Sequence, residues 1–401
     1  MVGGGYHATL YPGDAVKHFD AIVAGDAEGV WERVLADVET GRLGRGGGPA
    51  GRGEILNGGD WVFSESSISR GTVYRSGNPS PVLRTPIPRR ELLAATARHY
   101  VTVNAVQTGR GCPHACRYCS VTVFHNRRYR HRPLARVLAE LRRISRDFIF
   151  VDDNIIADRA YARELFAAMV PLRKRWVSQC SIDVADDAEL LRSARAAGCC
   201  GLFIGIETTS AENLAVMGKQ FNQSKQYTKR LAAIRRAGIG VVAGIIVGMD
   251  GDDVRVFEHT LRFLGQTQID ALQLNILTPL PGTPLFADME RAGRMTDNDW
   301  SHYDYRHVVF RPARMTAEEL QAGADWLYRQ FYRLDRIAWR FLRGLFTVGW
   351  KPALLGLKLG LTYRYDNQRE NIVGSNPAKS VTDGKNRVCK VLQEQALAAD
   401  I

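Results

Sequence analysis

The chain has 401 residues, 45% of them hydrophobic and 24% charged, which is enough for two or three soluble globular domains around a large core. Its net charge of +12 and pI near 9.5 point to anionic partners, among them acidic lipid headgroups, phosphorylated substrates and nucleic acid. Seven cysteines are too few for a disulfide framework, no signal-peptide pattern opens the chain, and no apolar run reaches the roughly eighteen residues of a spanning helix. The expected address is cytoplasmic.

Residues 1–45 read as the end of an α/β unit. Val2 closes a strand into the Gly3-Gly4-Gly5 turn, and a short helix around Asp14 to Phe19, a strand from Ala21 to Gly25 and a helix from Ala27 to Thr40 follow. One and a half βα units cannot cover both faces of a parallel sheet, so further strands upstream are expected. Residues 46–99 read as a linker, glycine-rich at first, then extended from 61 to 90, with a helix opening at Pro88.

From residue 100 strands and helices alternate. Strand-like runs at Val101–Thr108, Phe148–Val151, Trp176–Ile182, Leu202–Ile206, Val241–Val247 and Leu272–Ile276 are separated by helical patterns at Leu134–Ser145, Arg159–Met169, Ala188–Ala196, Ser224–Ala237 and Val254–Leu264. Six strands with helical crossovers predict a parallel α/β sheet. After the first strand, Thr-Gly-Arg-Gly-Cys-Pro-His-Ala-Cys-Arg-Tyr-Cys places Cys112, Cys116 and Cys119 within eight residues. Three thiols leave one iron of a four-iron cluster without a protein ligand. Zinc is the other reading, with His114, His125 or His131 as fourth ligand in a binding module.

The cysteine spacing, the aromatic Tyr118 before the last thiol and the strand before the loop resemble the radical S-adenosylmethionine superfamily. The resemblance implies a partial (β/α)6 barrel over 100–285. It also implies that the open iron of a [4Fe-4S] cluster chelates S-adenosylmethionine, whose reductive cleavage yields a 5′-deoxyadenosyl radical. The electron comes from an external donor of flavodoxin or ferredoxin type.

Strand ends in such a barrel carry the chemistry. The family's short motif after the second strand holds the methionine amino group. Asp152, Asp153 and Asn154 stand there, with Asp153 the preferred acceptor and an Asx turn the other reading. Gln179 at the third strand faces the cofactor or is a ladder-edge amide. Glu207 at the fourth receives ribose hydroxyls or the amino group, or caps a helix. Gly244, Ile246 and Gly248 resemble the Gly-x-Ile-x-Gly motif under the adenine; Gly251 stands where that motif has Glu, leaving Asp250 or Asp252 as substitutes. Asn275 on the sixth strand completes the expected cofactor-binding set.

The run from Thr278 to Pro284 resembles the Pro-Leu-Pro-Gly-Thr-Pro segment of the cobalamin-associated branch of the superfamily, and residues 1–45 resemble the last third of that branch's cobalamin domain. Gly3, Gly4 and Thr9 would then lie near the nucleotide tail, although the branch's Asp-x-His-x-x-Gly loop is missing. The implied reaction is C-methylation of an apolar or lipid-like small molecule, with a cobalamin-independent radical rearrangement or oxidation as alternative; nucleic acid is not the expected partner. Arg127, Arg128, Arg130 and Arg132 read as a basic rim for an anionic substrate or reductant, or as a solvated charge run. Cys180, Cys199, Cys200 and Cys389 read as packing. In the helical extension of 286–365, Thr316 and Glu319 form a capping box, and Trp326, Tyr328, Phe331 and Tyr332 pack on the barrel. Residues 333–364 read as an apolar and basic helical pair suited to an anionic membrane face, or to core packing. Residues 366–401 read as a polar, disordered tail.

Overall fold

The computed structural model describes residues 1–43, 72–76, 83, 85–99, 102 and 104–373. The glycine-rich part of the expected linker, most of the tail, and Cys389 lie outside the described residues. In chain order the strands are β1 (Val2–Gly3), β2 (Ala21–Ala24), β3 (Thr72–Arg75), β4 (Ala105–Val106), β5 (Gly109–Arg110), β6 (Arg130–His131), β7 (Asp147–Phe150), β8 (Arg175–Cys180), β9 (Cys199–Glu207), β10 (Gly240–Val247) and β11 (Ala271–Ile276). Two compact units emerge, one of Met1–Thr85, Gly111–His131 and Pro279–Gly293, the other of Pro86–Arg110, Arg132–Thr278 and Arg294–Ile401.

In the first unit β2 runs parallel to both β1 and β3, and all four of its residues are buried. Alternate side chains of a strand point to opposite faces. Accordingly Ala21 and Val23 pack with Val30, Val34 and Tyr74 on one face, while Ile22 packs with Ala8, Ala15 and Val16 on the other. Both faces of β2 are thus covered, one of them with the help of Tyr74 from β3. The third strand, β3, falls inside the segment read as merely extended. Its Tyr74 hydroxyl donates to Asp37 at 2.7 Å, and burial with that carboxylate pushes the phenol up to about 12.

The second unit is built on six parallel strands in the order β11-β10-β9-β8-β7-β4. The helices Arg159–Met169 and Ala188–Ala196 begin where Asp158 and Asp187 accept the Tyr161 and Leu190 amides, so the N-cap fixes each start. One face of the sheet, with Phe150, Trp176, Leu202, Ile204, Val241 and Ala243, is buried. The opposite face follows from the registers: Ile149 beside Val177, Gln179 beside Phe203, Val242 beside Phe203, Gly205 beside Gly244, Gly244 beside Gln273, and Ile246 beside Asn275. Several of these residues stay partly accessible, Gln273 being exposed. From Ile149 to Asn275 these paired side chains are uncharged, while the same face carries the Asp147–Arg175 ion pair where β7 and β8 begin and, over Gly205, the Glu207–Lys219 pair.

β11 lies at the end of the strand order. The Tyr332 hydroxyl donates to Leu272 O at 2.7 Å and accepts its amide at 2.9 Å, replacing the missing ladder partners. Phe331 and Tyr332 are buried as expected, and the capping box at Thr316 and Glu319 is formed. Helices Leu334–Thr347 and Trp350–Val373 meet where Gly344 faces Ala353 and Gly360 faces Ile337; a Cβ on Gly344 would lie 3.0 Å from that of Ala353. No helix among the described residues is long and apolar enough to cross a membrane.

Candidate active site

In the first unit the cysteine loop starts at Gly111. Its φ of +89° favours glycine, and a Cβ there would sit 2.0 Å from the Arg128 carbonyl oxygen. The loop ends where the Cys119 amide donates to Cys116 O at 3.2 Å and the helix Ser120–Phe124 begins. The Leu285 amide donates to Arg117 O at 3.1 Å, and the Arg117 guanidinium pairs with Asp288. The Pro-Leu-Pro-Gly-Thr-Pro segment leads into the helix that supplies this brace. Gly282 turns with φ +78° against Leu10, and Thr283 caps the helix Pro284–Arg291 with proline at its first position.

Cys116 is buried, Cys112 and Cys119 are half-buried, and none is in a disulfide. Among the described residues no three His, Cys, Asp or Glu side chains converge on one metal-sized point, these thiols included. What fits an iron–sulfur cluster is the chemistry of the donor set: three unbridged thiols on one short braced loop. Of the three histidines considered for zinc, His125 is buried with its Nδ1 3.3 Å from the Arg130 guanidinium, a neighbour that repels a second cation.

Of the four arginines read as a basic rim, only Arg127 and Arg128 are exposed. Arg130 pairs with Asp26 at 2.6 Å within the first unit. In the second unit Arg132 reaches the buried Glu140 at 2.7 Å and the Gln107 carbonyl at 2.8 Å. Adjacent charges along the sequence thus divide between solvent and buried pairs.

The strand ends of the second unit hold several of the expected residues in buried bonds. Asp152 is buried and accepts from the Thr108 hydroxyl at 2.6 Å, the Gly109 amide at 2.5 Å and the Thr108 amide at 3.1 Å. Burial nevertheless pushes its carboxyl up to about 7 against the pull of those bonds. Asn154 is also spent, its Oδ1 on the Ser181 amide at 3.3 Å and its Nδ2 on the Ser181 hydroxyl at 3.3 Å. Asp153 is half-buried, and the Gln179 amide donates to its carbonyl at 2.8 Å, so Gln179 braces the turn that presents Asp153.

Glu207 ends β9 at φ +67° and pairs with Lys219, itself buried. Gly205 makes room for the pair, since a Cβ would meet the Glu207 carboxylate oxygen at 2.4 Å and Lys219 Nζ at 2.8 Å. Asn222 donates to Gly205 O at 2.8 Å and Tyr227 to Ile206 O at 2.9 Å, holding this strand end from the next helix. The sequence reading missed Lys219, Asn222 and Tyr227, and nothing in their spacing marks them. Gly244 faces the Phe203 ring and Gly248, at φ +95°, faces Leu320, so both glycines accommodate side chains of this unit. Of the two acids considered in place of the motif Glu, Asp252 accepts the Gly248 and Met249 amides at 3.0 Å and Asn213 Nδ2 at 2.7 Å, while Asp250 pairs with Arg294 at 2.7 Å. Both are committed to the loop after β10 or its neighbours. Gln179, Gly244, Ile246 and Asn275 share the open sheet face.

The Radical SAM superfamily model matches residues 106–264, which takes in the cysteine loop and strands up to β10. The chain carries a radical SAM domain. It is 27% identical over 337 residues to bacteriochlorophyllide d C-12(1)-methyltransferase of Chlorobaculum tepidum, covering 82% of this chain and 68% of that protein. It is 33% identical over 233 residues to hopanoid C-2 methylase of Rhodopseudomonas palustris, covering 55% and 44%. The chain therefore spans less than half the length of the second. In fold, the radical SAM methyltransferase TsrM from Kitasatospora setae, solved with cobalamin and a [4Fe-4S] cluster, matches with a TM-score of 0.57 at 19% identity, over 74% of this chain and 59% of that one. The cobalamin-dependent radical enzyme OxsB, solved with aqua-cobalamin and S-adenosylmethionine, matches with 0.57 at 14%, over 98% and 70%. The radical SAM domain thus sits in a chain whose relatives include methyltransferases.

Proposed function

We propose that the protein is a radical S-adenosylmethionine enzyme that methylates carbon on an uncharged, lipid-like small molecule. The observation that carries this reading is the open sheet face. It offers Phe203, Ile149, Val177 and Ile246 with the neutral amides of Gln179, Gln273 and Asn275, and its charges are already paired with one another, Asp147 with Arg175 and Glu207 with Lys219. Such a surface suits an apolar body and disfavours an ionic one, because a buried charge without a partner is costly. The methylases of hopanoids and bacteriochlorophyllides among its relatives point the same way.

Cys112, Cys116 and Cys119 would hold the cluster. Asp153 would accept from the methionine ammonium of the cosubstrate, and Gly244, Ile246 and Gly248 are the proposed neighbours of its adenine, although Phe203 and Leu320 already take the space beside the two glycines. A bound [4Fe-4S] cluster supplies the electron that cleaves S-adenosylmethionine, fed by a flavodoxin- or ferredoxin-type donor. Gly3, Gly4 and Thr9 are the proposed neighbours of a cobalamin tail, although Gly3 packs on Phe19 and the Thr9 hydroxyl already accepts the Gly25 amide at 2.9 Å. The helix pair after Arg333 is proposed to touch an anionic membrane.

The test is anaerobic reconstitution followed by metal and product analysis. About four irons and four sulfides per chain are expected, with dithionite-dependent formation of methionine and 5′-deoxyadenosine. Stoichiometric zinc without iron would overturn the reading. Titration with hydroxocobalamin separates methylation from a cobalamin-independent radical reaction.

A further inference from the structure

In the second unit, among the helices Val256–Thr267, Ala317–Phe331 and Leu334–Thr347, a cavity of about 570 Å³ opens beside Asp270, just before β11. Its size falls in the range of small-molecule sites. Its wall is unusual in charge, for Arg235, Arg262, Arg336, Arg340 and Arg343 face only Glu258 and Asp270. Asp270 is already taken, accepting from Arg235 at 2.5 Å and from the Val241 amide at 2.7 Å. Arg262, Arg336 and Arg343 make no salt bridge among the described residues.

Two of the guanidinium groups are also short of acceptors. Arg235 is buried and gives Nη1 to Asp270 and Nη2 to the Thr347 hydroxyl at 2.8 Å, which leaves its buried Nε without a partner. Arg340 gives Nη1 to the Phe331 carbonyl at 2.8 Å and lies 3.9 Å above the Phe331 ring, while its buried Nη2 has no partner. A buried donor without an acceptor costs free energy, so these two groups add positive charge behind the wall that no protein acceptor fully offsets. Burial lowers the Arg340 guanidinium to about 10, a cost of the same sign.

The rest of the wall is apolar, with Trp326, Phe331, Leu261 and Trp339. Trp339 is also 65% exposed, and from it Leu342 at 50% and Phe346 at 89% continue the same helix face outward, with Trp350 at 58% beyond. A cationic cavity opening onto an exposed aromatic stripe is what an amphiphile with an anionic head requires. We propose that this cavity takes the phosphate headgroup of one anionic phospholipid while Trp339, Leu342 and Phe346 enter the lipid layer around it. The inference rests on the membrane reading above and names the lipid chemistry that reading lacks.

Intrinsic tryptophan fluorescence tests it, since Trp326 and Trp339 line the cavity. Dihexanoylphosphatidylglycerol, kept below its critical micelle concentration, should give a saturable shift with the whole protein. The double substitution Arg262→Gln/Arg343→Gln should weaken that binding roughly thirty-fold, at about tenfold or less per lost charge. Both side chains lack salt bridges, so the variant should fold, which circular dichroism verifies. Unchanged binding in the variant would overturn the proposal. Inorganic phosphate binding as tightly as the short-chain lipid would overturn the phospholipid as its occupant. Sedimentation with vesicles of equal parts phosphatidylglycerol and phosphatidylcholine, without saturable short-chain binding, would leave the membrane reading standing and remove the cavity from it. Saturable short-chain binding without sedimentation would uphold the cavity and remove the membrane.

Discussion

Asp152 and Thr108 lock β7 to the residue that leads from β4 toward the cysteine loop. The carboxylate accepts the threonine hydroxyl at 2.6 Å and its amide at 3.1 Å. The acid is also held up to about 7 by burial, and Asp252, which closes the loop after β10, up to about 6. A folded-state value above the unfolded one means that the native protein binds more protons between pH 4 and 7, so stability falls as pH rises through that window and levels off above it. At about 1.4 kcal/mol per unit the fall is a few kcal/mol. Urea denaturation at pH 5 and pH 8 should show it, and Asp152→Asn should reduce the difference. An equal difference in the variant would show that Asp152 does not cause it.

The buried pair of Lys219 and Glu207 carries a second expectation. Removing one member of such a pair strands the other charge in low dielectric and costs about 3–5 kcal/mol. Lys219→Met should therefore destabilise the protein by roughly that amount, and Lys219→Met/Glu207→Gln should recover a large part, since no bare carboxylate remains. If the double variant is no more stable than Lys219→Met, the pair is not what holds the end of β9.

How much of this was legible in the sequence depended on whether a signal was local. The helices Arg159–Met169 and Ala188–Ala196 have the bounds expected of them because an aspartate cap marks each start. The six strands appear where apolar runs predicted them, within a few residues. β3 was missed as a strand because four residues, Thr-Val-Tyr-Arg, are too short a pattern to separate from extended chain, and only its pairing with β2 defines it. Nothing local in the sequence separates Asp153, the preferred acceptor, from Asp152 and Asn154, since the direction of each side chain at a strand end is set by the sheet. The same holds for Arg127 to Arg132, which one charge run left alike and folding divided. Lys219 gave no signal, being a lone lysine after a short helix whose partner lies twelve residues back.

The cysteines fall into two chemical classes. Burial pushes the Cys180 and Cys199 thiols well above the ordinary thiol range, which keeps them protonated and poor ligands. Cys112→Ala, Cys116→Ala or Cys119→Ala should each abolish cleavage of S-adenosylmethionine and lower bound iron at least severalfold after anaerobic reconstitution. Cys180→Ala should leave the iron content and cluster absorbance unchanged. Loss of iron in the Cys180 variant to the same degree would remove the distinction.

Gly111 permits the sharpest separation of loop geometry from general stability. Two glycines of the first unit share left-handed backbone, Gly111 at φ +89° and Gly293 at φ +60°. They differ in what a Cβ would meet, since nothing lies within 4 Å at Gly293, whereas at Gly111 the Arg128 carbonyl oxygen would stand 2.0 Å away. Gly293→Ala therefore costs only the conformational penalty, about 1–2 kcal/mol. Gly111→Ala adds a clash with backbone, which must be relieved by moving the loop that carries Cys112. With both variants folded by circular dichroism, Gly293→Ala should take up iron like the parent and Gly111→Ala should take up severalfold less. Equal iron uptake would mean that the turn at Gly111 does not set the position of the thiols.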